Sequence, residues 1–356
     1  MRAGAMVRAL ARTYRVTLLL TPGRGQQAWP IPAGISALCE RVARLPSSRE
    51  LSRWQRFDVV HVAGLDAVAD AAPWQRWASH LQIDLDDPVS LGAQRVATLA
   101  RAENRVDVAE RASATAEAAR QLEDAAIARY DRVFVSSEVS RQGLLRRHDA
   151  DAPIAVLPNS LPLPDTTPVD PPVRGPFVLL LAGTVGTDAH DDAVHHFCGS
   201  ILPRIQAGAD RPVTLRVVGA GESATVARLG GQAGVEVIGE VADVAASYRD
   251  AHVAVVPLRA GGGSRIRILE AFAQQRPVVS STVGMEGIAA IDGEHAYIAD
   301  DPQRFADDVL RLLRDASQAA RLAGGAYQLF QEQYTEEIVA PVIAAATAHA
   351  GEDSAA

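Results

Sequence analysis

From Phe177 onward, short aliphatic runs alternate with helix-length segments, and that alternation leaves the chain few ways to fold. Strands are expected at 177–182, 213–218, 235–238, 252–256, 278–281 and 295–298. Helices are expected near 191–207, 223–231, 243–250, 264–275 and 302–331. Strand–helix alternation of this kind predicts a doubly wound parallel sheet. The first part of the chain repeats the pattern less regularly. A helix over 1–13 leads to strands at 15–20, 57–62, 80–88, 130–137 and 154–159, with helices through 66–78 and 138–147. Residues 91–130, rich in alanine, arginine and glutamate, form a long helical region with one break. From Pro158 to Pro176, both included, stand seven prolines and no apolar periodicity, which marks a domain boundary. The expected division is therefore an α/β domain over 1–160, a linker over 161–176, a second α/β domain over 177–334, and a closing helix and tail over 335–356, kinked at Pro341.

The most informative stretch is Pro257-Leu-Arg-Ala-Gly-Gly-Gly-Ser-Arg-Ile-Arg-Ile-Leu-Glu270, between one predicted strand and the next helix. Gly261, Gly262 and Gly263 allow positive φ and a close backbone approach to a ligand. Ser264 is a good N-cap, so unpaired N–H groups and the positive end of a helix dipole would converge on an anion, most commonly phosphate. Arg267, Glu270 and Gln274 share one helix face, while Ile266, Leu269 and Ala273, flanked by Ile268 and Phe272, face a core. Spacing alone also permits a surface ion pair between Arg267 and Glu270.

Composition narrows the functional classes. The net charge of -8 argues against a general nucleic-acid surface. All 35 basic residues are arginine, so any phosphate-binding lysine must be replaced. Cys39 and Cys198 are far apart and read as reduced thiols of a cytoplasmic protein. No metal-ligand cluster is visible, and the adjacent His195 and His196 would point apart on a helix. The longest aliphatic runs, 16–20 and 177–181, are too short to span a membrane. The N-terminus lacks the apolar region of a signal peptide.

Taken in order, these pieces resemble the retaining glycosyltransferases of family 4, which have the two-Rossmann (GT-B) fold, and within them an exopolysaccharide-type subgroup with a GGG-R-LEA signature. AGTVG at 182–186, LRVVGAG at 215–221 and the run from Val237 to Ile288 carry most of the likeness, with IDLDDPVS, YDRVFVSS and VLPNS as weaker landmarks in the first domain. The resemblance implies two Rossmann-like domains facing across a cleft, a nucleoside-diphosphate-sugar donor, an acceptor hydroxyl on a glycan, lipid-linked sugar or small molecule, and no metal cofactor. It implies that Glu270 holds the ribose hydroxyls and that Arg265 and Arg267 serve the diphosphate. Gly262, Gly263 and Ser264 would meet the diphosphate or sugar, Gly183 and Thr184 would line the same pocket, and Val241 would meet the base. Asp86, or its neighbour Asp87, would stand beside the transferred sugar.

The sequence departs from the family pattern in three places. Gly262 stands where the family's first glutamate of E-x7-E falls. Asp86 stands where many relatives have histidine. The usual first strand and its glycine turn are missing before the first helix, as from a start codon placed too late or from a shortened protein. These departures leave a second class open, a non-catalytic partner of an active enzyme. A location in the cytoplasm, with peripheral contact at the inner membrane face, suits a lipid-linked acceptor. His61 at a strand end reads as core or cleft-facing, and Trp74 and Trp77 as core or surface stripe.

Overall fold

The computed structural model describes residues 2–20, 31–44, 56–71, 77–164, 174–262 and 265–352. They form two compact units. Unit 1 comprises Met1–Ser90, Glu117–Pro162 and Thr335–Ala356; unit 2 comprises Leu91–Ala116 and Leu163–Tyr334. Two segments thus differ from the linear division. The stretch 91–116 packs within unit 2, and the closing helix packs within unit 1.

Among the described residues, unit 1 holds two parallel sheets. In the smaller, β1 (Thr17–Leu20) pairs with β2 (Arg41–Arg44). The sequence gives no signal for β2, because Arg-Val-Ala-Arg offers neither a run nor an alternation of apolar residues beyond two positions. The larger sheet has the order β3 (Phe57–Ala63), β4 (Ala78–Asp86), β5 (Arg132–Val135), β6 (Ile154–Val156). Its core gathers Val62, Ile83, Val133, Val135 and Leu144. The Arg2–Leu10 helix packs Met6 and Ala9 against Val339, Ala340 and Ile343 of the Glu336–Glu352 helix, which runs through Pro341. Arg8 pairs with Glu336 across the same contact. His61 lies within β3 with its ring 5.9 Å from that of Phe134, and burial lowers its pKa; it is a core histidine. Trp74 lies outside the described residues.

Unit 2 has a six-stranded sheet in the order β12 (Tyr297–Ile298), β11 (Val278–Ser280), β10 (Val253–Val256), β7 (Phe177–Ala182), β8 (Val213–Val218), β9 (Val235–Gly239). All neighbours run parallel. The chain winds outward from β7 to β9, then returns to the other side of β7 to lay down β10, β11 and β12. The order therefore reverses between β7 and β10, and ligands of such sheets bind beyond the carboxyl ends at that point. Leu179, Leu215, Val217, Val253 and Val279 are buried in the sheet, and Phe197 and Phe305 meet edge to face from the helices above it.

The helix expected at 191–207 begins earlier, at Asp188, where the Thr187 hydroxyl accepts from His190 N. It passes through a π-helical turn at Phe197–Ile201 and ends at Gly208. The helix expected at 302–331 is two helices, Pro302–Arg314 and Ala316–Gln333. Asp315 ends the first and caps the second by accepting from Ser317 N and Gln318 N.

Candidate functional site

The turn after β10 and the turn after β7 flank the switch point of unit 2. The first contains Gly261 and Gly262; Gly263 and Ser264 lie outside the described residues. Arg95 donates to Gly261 O at 3.2 Å, and Arg265 donates to Gly262 O at 3.1 Å. Arg95 also donates from Nη2 to Glu286, and Arg265 donates from Nε and Nη2 to Val283 O. Both glycine carbonyls are therefore engaged by guanidinium groups. Gly92 is packed so closely that a Cβ there would sit 2.6 Å from Gly262 N. Further back along the turn, Arg259 and Arg105 both reach the buried carboxylate of Asp192, at 2.7 Å each, and Arg259 also pairs with Glu103. The Leu91–Ala116 segment thus contributes Gly92, Arg95, Glu103 and Arg105 to the support of this turn.

The helix that follows is Ile266–Ala273, with Arg265 at the N-cap position and making no side-chain cap bond. The helix thus starts two residues after Ser264, which lies outside the described residues. Arg265 has φ -80° and ψ 55°, outside helical values, and its side chain turns toward the carbonyls of Gly262 and Val283. It is 8 % exposed, a brace of the turn more than a surface cation. The buried stripe is Ile268, Leu269, Phe272 and Ala273, with Ala271, so the apolar face is rotated slightly from the expected one.

Arg267 and Glu270 stand on the same face as expected, and Arg267 Nη1 donates to both carboxylate oxygens at 2.9 Å. Beneath them lies Tyr248, whose hydroxyl proton is shared between Arg267 O at 2.8 Å and Glu270 Oε2 at 3.2 Å. Burial and the nearby Glu270 carboxylate raise the tyrosine pKa, so it remains a donor. The carboxylate is thereby fixed from both sides while the Glu270 side chain stays 11 % exposed.

On the β7 side, Gly183 donates to Val218 O at 2.9 Å, and Thr184 stands exposed beyond it. A Cβ on Gly183 would fall 2.3 Å from Nδ1 and 2.4 Å from Cε1 of His190, so only glycine leaves room for the imidazole. His190 is 7 % exposed, and its Nε2 has no hydrogen-bond partner among the described residues. Burial pushes its pKa down to about 4; Asp191 opposes the shift and Arg267 adds to it. A neutral imidazole therefore belongs to the site. The sequence signals for it were a lone histidine and a Thr cap three residues earlier, which do not reveal burial. Val241 lies partly exposed just beyond the carboxyl end of β9.

Unit 1 carries its candidate residues at the end of β4. The β4–β5 register slips between Asp84 and Asp86, a bulge that redirects the side chains beyond it. Asp86 follows with φ 60°, a left-handed conformation that aspartate tolerates better than most residues but that remains uncommon. Its backbone N–H donates to Asp84 Oδ1 at 3.0 Å. Arg2 donates to Asp84 with Nε and Nη2 at 2.7 and 2.9 Å and stands 3.6 Å from Asp86 Oδ1. Asn159 Nδ2 donates to Asp86 Oδ1 at 3.2 Å. Asp87 is spent differently, accepting from the hydroxyls of Ser136 and Ser140 at 2.6 and 3.0 Å. Of the three carboxylates, Asp84 is 5 % exposed at its side chain and Asp86 45 %, which leaves Asp86 as the reachable one. Desolvation of its inner side is the main cause of a pKa pushed up to about 6; Arg2 and Asn159 pull it down, while Asp87 and Asp84 push it up.

Among the described residues no group of three or more His, Cys, Asp or Glu side chains is placed to hold a metal ion, and no helix is long and apolar enough to cross a membrane.

Residues 176–315 match the model of the family described as glycosyl transferases group 1. A curated protein of Klebsiella pneumoniae, described as an uncharacterized 44.6 kDa protein in the cps region, is 28% identical over 97 residues. That match spans 27% of this chain and only 25% of the relative. Among solved structures, sucrose-phosphate synthase of Thermosynechococcus elongatus superposes with a TM-score of 0.74 at 17% identity, over 100% of this chain and 93% of that one. The Anabaena protein HepE, solved in complex with UDP and glucose, superposes with a TM-score of 0.68 at 15% identity, over 96% and 95%. The match with the family model thus falls within unit 2, and the chain has the α/β fold of these structures.

Proposed function

We propose that the protein is a retaining glycosyltransferase that moves a sugar from a nucleoside-diphosphate donor to an acceptor hydroxyl. The observation that carries this reading is the arrangement at the switch point of unit 2, where a carbonyl-braced glycine turn opens a helix bearing Arg267 and a fixed Glu270. Glu270, an acceptor on both oxygens, suits the two ribose hydroxyls. Breaking the sugar–phosphate bond leaves its electron pair on the diphosphate, and preorganised N–H groups with Arg267 meet that charge without a metal. Arg265 supports the same site through the turn. Gly183, Thr184 and His190 line the β7 side, Val241 borders the base, and Gly263 and Ser264 join the diphosphate contacts. In unit 1, Asp86 offers its carboxylate to the acceptor hydroxyl.

The test is turnover and nucleotide binding across UDP-, GDP- and dTDP-sugars, with UDP-glucose first because HepE was solved with UDP and glucose. Release of the nucleotide with a retained anomeric configuration, unaffected by a chelator, is expected. Absence of both binding and release in the full chain refutes the reading. A second reading, a non-catalytic partner, is favoured by one observation: Arg267 is closed on Glu270 and Arg265 on backbone carbonyls. Nucleotide binding without any turnover supports that alternative.

A further inference from the structure

The carboxylate of Asp86 is framed by residues from two other parts of unit 1. Arg2, at the start of the first helix, uses Nε and Nη2 on Asp84 and Nη1 on Leu157 O at 2.9 Å and Asn159 Oδ1 at 3.2 Å. Asn159 then donates from its other amide atom to Asp86 Oδ1. The amide is therefore oriented by its neighbours, with the oxygen toward a cation and the nitrogen toward an anion. Asp84 completes the ring by holding both Arg2 and the backbone N–H of Asp86. The framing residues are buried, with Arg2 11 % exposed at its side chain and Asn159 5 % exposed. Asp86 alone opens outward.

We propose that Arg2 and Asn159 are positioning residues for Asp86, holding the carboxylate that unit 1 presents to an acceptor hydroxyl. The inference rests on the glycosyltransferase reading above. A left-handed backbone and a bulge aim the side chain, but neither fixes its χ angles; the hydrogen bond from Asn159 and the charge of Arg2 do. Charge decides the rest. The groups facing Asp86 are Arg2 from the first helix, Asn159 from the end of β6, and Asp84 and Asp87 from its own strand end. One guanidinium thus offsets two neighbouring carboxylates, and without it Asp86 takes up a proton at higher pH. A protonated Asp86 cannot accept from the hydroxyl in the same way.

A purely structural staple between the first helix and β4 would share the contacts but not the titration. The discriminating measurement is the pH profile of kcat/KM for the full chain as wild type, Arg2→Lys, Arg2→Gln and Asn159→Asp, with thermal unfolding of each. The wild type should show an acid limb near the pKa of about 6 that desolvation gives Asp86. Arg2→Gln and Asn159→Asp should move that limb upward by roughly one pH, the low end for losing a close cation or gaining a close anion because Asp86 is partly solvated. Arg2→Lys should restore it, and UDP affinity should be the same throughout. A limb that stays in place while only Tm or the overall rate falls makes Arg2 a staple and overturns the proposal. A wild type that turns over no donor overturns it as well, through the transferase reading itself. Carboxyl NMR of Asp86 separates these two failures, because it reads the same shift in Arg2→Gln without turnover.

Discussion

Replacing His190 with glutamine should make the protein more resistant to acid. The imidazole is buried against Gly183 and near Arg267, and its pKa falls from 6.5 to about 4. In the unfolded chain the ring takes up a proton around pH 6.5, whereas the folded protein refuses it until about pH 4. Stability is therefore whole above pH 6.5 and drains away as pH falls, because the unfolded state binds the proton first. The full difference is about 3 kcal/mol at roughly 1.4 kcal/mol per tenfold change in proton affinity, and about 2 kcal/mol of it is expressed between pH 7 and pH 5. Glutamine keeps a neutral polar group of similar length and cannot titrate. Urea unfolding followed by circular dichroism at the two pH values should show the wild type losing about 2 kcal/mol more than His190→Gln. In thermal scans the gap corresponds to about 4–8 °C for a unit of this size. Equal losses in the two proteins would mean that the folded state accepts the proton on His190 easily. The neutral, enclosed imidazole described above would then be wrong.

Glu270→Ala should weaken UDP binding about 10- to 100-fold in calorimetry, the worth of charged hydrogen bonds to ribose hydroxyls, while unfolding changes little. Gly183→Ala forces the His190 ring aside and should destabilise unit 2 by about 1–3 kcal/mol. In the double variant with His190→Ala that loss should shrink, and a strictly additive cycle in urea titrations would refute the contact. Gly92→Ala would place a Cβ 2.6 Å from Gly262 N and push on the glycine turn. It should raise the donor KM several-fold, and an unchanged KM would show that the turn does not depend on that packing.

Much of unit 2 was readable in its sequence because strands covered on both faces need continuous apolar runs, and 177–182 or 213–218 have no other simple use. The polar face of the Ile266–Ala273 helix was equally readable, since Arg267 and Glu270 needed only helical spacing to meet. Arg265 was not, because whether a guanidinium faces a ligand or a carbonyl depends on ψ at one residue. β2 was not, because Arg41–Arg44 is a strand through its partner β1 rather than through its own composition. Asp86 was singled out by the family resemblance of the IDLDDPVS stretch, but the bulge, the left-handed φ and the separate duties of Asp84 and Asp87 are tertiary facts. Arg2 lies 82 residues from Asp84, a distance at which no local pattern operates. The Leu91–Ala116 segment carries a charged pattern that suits a solvated helix as well as one with arginines committed to Asp192 and Glu286.

The path of the backbone between the units bears on how this protein can be dissected. The boundaries fall at 90/91, 116/117, 162/163 and 334/335, so the polypeptide passes from one unit to the other four times. Cleavage within the proline-rich stretch severs only one of those passages and releases neither unit. A fragment starting near 174 would contain the whole six-stranded sheet yet lack Gly92, Arg95, Glu103 and Arg105. Its glycine turn would lose the guanidinium on Gly261 O and one of the two on Asp192. To produce unit 2 by itself, the 91–116 segment has to be supplied as well, by circular permutation or as a second chain.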